Sequence, residues 1–184
     1  MSQNGELGAG AVAARLIVEG ALPAIAGGPA FAPESMITPG RLVTGEERAN
    51  LGLERPGRTY LFAALGSGVF LDLSGPNASA WFIGGDFDSA VDVFDSVLRL
   101  AYPHARQTDD RALPDSQRAR AYRIDFGNGR RAFVELLYAL PEATGELRTF
   151  TARATALQET GQPAAAGPAK SQAAPAAPKK KGWF

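Results

Sequence analysis

The sequence predicts an α+β fold: an antiparallel sheet of about six strands in the order βββαβββ, one packed central helix, and a further helix at the N-terminus. Three observations predict it. Apolar residues in 91–101 recur at steps of three and four, the period of a helix with one buried side. Stretches on both sides of that helix, within 59–83 and 122–157, alternate apolar with polar residues. Between them lie Gly pairs and Gly-Pro or Gly-Asn-Gly turns.

The central helix is the best-marked element. Ala80 to Ile83 reads as the end of a strand, and Gly84-Gly85 turns the backbone without a Cβ penalty. Asp86 or Asp88 caps a helix whose buried side carries Val91, Phe94, Val97, Leu98 and Ala101, and Pro103 stops it after Tyr102. Asp88, Asp92 and Asp95 share the opposite side, where three carboxylates could form a metal or general-acid cluster. A solvated face whose N-terminal acids complement the macrodipole accounts for all three with no added assumption, and is the expectation. Gly84-Gly85 could also cradle a phosphate, but the neighbouring acids already accept from the free amides and repel an anion.

Composition narrows the classes. The 184 residues are enough for one domain with a core, 45% of them are hydrophobic, and formal charge is zero, which does not suggest bulk nucleic-acid binding. That zero is unevenly distributed. All four lysines lie at 170 or beyond, so the other fifteen basic residues are arginines; set against nineteen acids, they leave residues 1–160 at −4 and the tail at +4. There is no cysteine, hence no disulfide, thiolate nucleophile or cysteine-bound zinc, and the single His104 excludes a His-rich metal site. No metal or cofactor is expected.

In chain order, residues 7–26 are mostly apolar and end in an A-x-A pattern, as a signal peptide does. Glu6 in the preceding segment, the absence of Lys or Arg there, and Arg15 and Glu19 inside the apolar run argue against export, and the same charges with Gly20 and Pro23 argue against a membrane span. A cytoplasmic protein is expected. The segment instead reads as a helix of about four turns, with Arg15 and Glu19 exposed and Val12, Leu16 and Ile17 packed on the domain or a partner. Gly8 to Ala13 fits G-x-G-x-x-A, yet no strand precedes it, so a dinucleotide fingerprint is rejected. Residues 27–58 read as irregular, broken by Pro29, Pro33, Pro39 and Pro56, with Thr44 and Glu47 spaced as a capping box for a short helix.

Strands follow at Thr59 to Leu65, Val69 to Leu73 and Ala80 to Ile83, joined by Gly66-Ser67-Gly68 and Ser74-Gly75-Pro76-Asn77. After the helix, His104 to Ala119 is polar and reads as a solvated loop; His104 is a helix-end cap more readily than a general base. Tyr122 to Phe126 and Ala132 to Tyr138 then form a hairpin. A two-residue loop would set Tyr122 opposite Glu135, whereas a three-residue loop with Gly129 left-handed sets Tyr122 opposite Val134, Ile124 opposite Ala132 and Asp125 opposite Arg131; the latter is expected. Leu147 to Leu157 is the last strand, with small residues on one side.

The chain therefore divides into residues 1–57, an N-terminal helix and a Pro/Gly-rich segment; 58–158, the α+β core; and 159–184, a tail. Eight Ala and four Pro in residues 161–178 leave too little apolar side chain to fold, so the tail is expected to be disordered and to present KKKGWF at a distance. Function is expected to reside there, in Lys179, Lys180, Lys181, Gly182, Trp183 and Phe184. The aromatics would fill a cleft on a partner protein, a basic group at its rim would hold the terminal carboxylate, and the lysines would settle on acids. A non-enzymatic adaptor is the expectation. The alternatives are peripheral attachment to a membrane or nucleic acid through the same lysines and Trp183, or an enzyme of unrecognised class. No catalytic residue is predicted.

Overall fold

In a computed structural model, residues 7–52, 57–75, 77–141 and 149–157 are described. The first helical run is continuous: α1 (Ala9–Arg15), a π-helical segment (Leu16–Ala21) and α2 (Leu22–Ile25). A 3-10 turn (Pro33–Ser35), β1 (Arg41–Leu42) and α3 (Gly45–Asn50) follow. Next come β2 (Arg58–Ala64), β3 (Ser67–Ser74), β4 (Asn77–Ile83) and α4 (Phe87–Ala101). The chain then runs through β5 (Arg106–Leu113), β6 (Gln117–Asp125), β7 (Arg131–Ala139) and β8 (Thr149–Leu157).

All strands join one antiparallel sheet in the order β1-β2-β3-β4-β8-β7-β6-β5. Each half is a meander, and β8 returns to pair with β4, so α4 crosses from the middle of the sheet to its far edge. Both long helical elements cover one face. Leu16, Ile17, Val18 and Leu22 are buried with Phe62, Leu71, Phe82, Phe150 and Leu136 in a single core. Ala78, Ala80, Ala152 and Ala154 are buried in β4 and β8, where the π-helical segment packs, and their small side chains let it approach. A Cβ on Gly10 would stand 2.7 Å from Ala90 Cα, so α1 and α4 cross backbone to backbone.

The expected α+β class holds, but the sheet has eight strands rather than about six. Both additions sit at edges. β5 lies in the segment read as a solvated loop; its sequence, RQTDDRAL, lacks apolar alternation because an edge strand is held by main-chain pairing, here with β6 from Arg106 to Leu113. Charges and a bulge between Gln107 and Asp109 suit an edge that must not recruit other strands. β1 is two residues long and lies in the segment read as irregular.

Several local expectations hold in detail. Asp86 caps α4 by accepting from Ser89 N at 3.2 Å, and Val91, Phe94 and Leu98 are buried. Ala101, expected on that side, is exposed, whereas Phe87 and Ala90 complete the buried stripe. Thr44 and Glu47 form a reciprocal capping box. The β6–β7 register is Tyr122↔Val134, Ile124↔Ala132 and Asp125↔Arg131, with Gly129 at φ +82°. His104 is exposed, and the turn after α4 is closed by main-chain bonds from Tyr102 to Leu98 and from Ala105 to Tyr102.

Candidate functional site

A cavity of about 830 Å³ opens between the first helical run, residues 29–38 and the end of β2. Val12, Leu16 and Pro23 form its helix wall, Phe31 and Met36 its loop wall, and Phe62 its floor. The loop wall is held from several sides. A Cβ on Gly20 would lie 2.3 Å from the tip of the Phe31 ring, and one on Gly40 would lie 2.5 Å from the tip of the Phe62 ring, so each ring end reaches bare backbone. Tyr60 Oη donates to Glu34 Oε1 at 2.6 Å, which pins the 3-10 turn to β2; that bond is the main cause holding the Glu34 carboxyl below its ordinary range. Burial pushes the Tyr60 hydroxyl up. Arg15 and Glu19 pair loosely at 3.7 Å at the mouth, about half exposed, and Ile37 is 98% exposed beside it.

The cavity also runs along a gap in the edge of the sheet. Val43 N donates to Thr59 O and Leu65 N donates to Leu7 O, so the odd-numbered residues of β2 direct their main-chain groups outward. β1 pairs with β2 only at Tyr60 and Leu61, and Gly8 bridges to Leu65 in parallel. Between these two contacts Ala63 is exposed, and among the described residues its outward N–H and C=O have no main-chain partner. The opening covers residues 62–64, about 10 Å of strand. An unpaired donor and acceptor beside an apolar cavity are what an extended peptide requires: main-chain bonds to Ala63 and a large side chain set among Val12, Leu16 and Phe31.

At the opposite edge, the acidic face of α4 does not read as expected throughout. Asp88 and Asp92 are exposed, but Asp95 accepts from Arg120 Nη1 at 2.7 Å and from the Tyr122 hydroxyl. Arg120 also reaches Asp110, which Arg118 bonds at 2.6 Å. Here a helix is tied to β6 and the edge strand β5. Burial is the main cause that pushes the Tyr122 hydroxyl well above its ordinary range, and the Arg118 bond holds the Asp110 carboxyl below its own. With both oxygens of Asp95 and of Asp110 accepting from neighbouring side chains, this network reads as a lock rather than a reactive group. Sequence periodicity gave no sign of it, because the partners come from three elements.

Gly84-Gly85, considered above as an anion cradle, lines a smaller cavity of about 450 Å³ with Gly8 to Ala11, Leu65 and Asp86. Asp86, one of the two acids expected to cap α4, is there and already accepts from the free amide of Ser89. Lys179, Lys180, Lys181, Gly182, Trp183 and Phe184, the residues singled out by sequence, lie outside the described residues, as does the whole of 158–184. Sequence reading missed the cavity; the one available signal was the concentration of Gly and Pro in 27–40.

No family model, curated protein or solved structure matches this chain. Among the described residues, no helix is long and apolar enough to cross a membrane, and no group of three or more His, Asp or Glu could hold a metal ion.

Proposed function

We propose that this protein is a non-enzymatic adaptor whose domain grips a short, extended, apolar segment of another protein in the cavity beside Ala63, while the KKKGWF segment supplies its second contact. The observation that carries this reading is the coincidence of an apolar cavity of about 830 Å³ with the one stretch of β2 edge left open between β1 and Gly8. An apolar small molecule would use the cavity but not the main-chain groups of Ala63. An extended peptide uses both, because strand addition supplies affinity and the cavity selects the side chain.

The test is selection of displayed random peptides on the full chain. Enrichment of sequences carrying large apolar residues is expected, with capture lost in two variants. Ala63→Pro removes the outward N–H while leaving the β2–β3 hydrogen bonds, which belong to even-numbered β2 residues. Val12→Phe fills the helix wall. Absence of enrichment, or capture unchanged in both variants, defeats the proposal.

A further inference from the structure

We infer that in the free protein the cavity is occupied by Trp183 of the chain's own Gly182-Trp183-Phe184. This rests on the peptide-binding reading of the site and names its resident ligand. Three properties of the chain converge on it.

The first is reach. β8 ends at Leu157, paired with Arg131, and its other end, Thr149, pairs with Ile83 at the end of the sheet where Ala63 lies. From Leu157 to Ala63 is about eight residues along the strands and three strands across, roughly 30 Å. The 24 residues of 158–181 connect Leu157 to Gly182. A segment of that length reaches between about 27 Å as a flexible coil and about 74 Å as extended polyproline, so the roughly 30 Å span is within its reach. Effective concentration is greatest where linker length matches the span, in the millimolar range.

The second is side-chain chemistry. After Leu157, Trp183 and Phe184 are the only apolar residues larger than alanine or proline. The opening along residues 62–64 admits about three extended residues. Gly182 opposite Ala63 brings no side chain against the edge. Trp183 then follows opposite Phe62 and enters the cavity among Val12, Leu16 and Phe31, while Phe184 would reach Leu61, where Arg41 already pairs, and so lies outside the opening.

The third is charge. Glu19, at the cavity mouth, has 54% of its side chain exposed and holds Arg15 at only 3.7 Å, so it can take a lysine of Lys179 to Lys181. A partner's segment must therefore displace the tail, and its apparent affinity falls by the fraction of cavities left free.

The experiment uses the full chain with Trp81→Phe, which leaves Trp183 as the sole tryptophan. Blue-shifted emission shielded from acrylamide is expected, independent of protein concentration, and reverting to that of free indole when Ala63→Pro or Val12→Phe is added. Emission of a water-exposed indole that neither variant changes overturns the inference; shielding lost on dilution overturns it in favour of a second copy's tail. Selected peptides should bind the Trp183→Ala/Phe184→Ala chain at least about 10-fold more tightly than the intact chain. Equal binding to both means the tail does not compete: the inference then fails while the peptide-binding reading stands. Shielding of Trp183 that is lost in Ala63→Pro, with no foreign peptide selected, has the opposite meaning.

Discussion

Phe94 is fully buried between α4 and the sheet, and its position follows from the three-and-four spacing of its neighbours alone. Phe94→Ala should cost about 3 to 5 kcal/mol in denaturant unfolding, the range for an aromatic lost from a packed core. An unchanged midpoint would show that α4 faces another way. Tyr122 is different, because its role was decided by Asp95, which sits 27 residues earlier in the chain. Its hydroxyl pKa is raised above the ordinary 10.0 by burial first and by the bond to Asp95 second. The neutral hydroxyl therefore contributes stability that is complete below pH 10.0 and is lost as pH climbs through the folded-state value. Melting temperature should fall on that alkaline limb, and Tyr122→Phe should make the fall shallower. Tyr60, Tyr102 and Tyr138 are raised in the same direction, so a residual alkaline limb is expected. Asp110 works at the other end: its carboxyl is held below 3.8, so its share of stability is present above that pH and disappears as pH falls further.

Among the elements, α3 is the one whose formation rests on caps rather than packing, since none of its residues is buried. The Glu47 carboxylate accepts three bonds, from Thr44 N at 2.8 Å and from Arg41 Nη1 and Nη2 at 2.9 Å each, while its main-chain N–H donates to Thr44 Oγ1 at 3.3 Å. The Arg41 bonds are the first cause lowering its pKa from 4.5 to about 2. Thr44→Ala should cost about 1 kcal/mol, read as faster amide exchange across residues 45–50 before any change in global unfolding. α3 also carries Arg48, which donates to Thr59 Oγ1, itself bonded to Asp72, and so anchors one corner of the sheet's outer face. The rest of that face holds a row in register, Leu61, Phe70, Trp81, Thr151 and Leu137, with the Phe70 and Trp81 rings stacked at 4.3 Å. That stack gives Trp81→Phe a conservative context, because an aromatic pair is kept.

At the scale of the whole molecule, strand pairing ends at Leu157, and the core draws on the first helical run as well as the sheet. A chain ending at Glu159 should melt cooperatively within a few degrees of the full chain; loss of cooperativity would mean that residues beyond 159 hold the domain together. The first helical run, by contrast, cannot be removed without exposing Leu16, Ile17 and Leu22, all fully buried. Two long-range bonds tie its end to the β6–β7 turn: Asn128 donates to Ala26 O at 2.8 Å, and Arg130 reaches Ile25 O at 3.5 Å. The helix stops locally, where Gly27 at φ +99° and Gly28 close on Ala24 O and Pro23 O, and the β6–β7 turn takes up carbonyls that this end leaves free.

Sequence by itself determined what neighbours in the chain decide. The α4 stripe, its Asp86 cap, the Thr44–Glu47 box and the three-residue turn before Arg130 each involve residues within a few positions of one another, where backbone geometry and side-chain period leave one good solution. The open face of the first helix at Arg15 and Glu19 followed for the same reason. What only the tertiary structure decided lies between distant segments. Edge strands β1 and β5 bury too little to carry a period, so their pairing was invisible until β2 and β6 stood beside them. Asp95 became a lock because β6 brought Arg120 and Tyr122 to it. The cavity arises where residues 7–23, 29–38 and 62–64 meet, and Ala63 is open because β1 stops at Leu61 and Gly8 resumes at Leu65. No local pattern encodes an unfilled space: it is what remains after packing elsewhere has been satisfied.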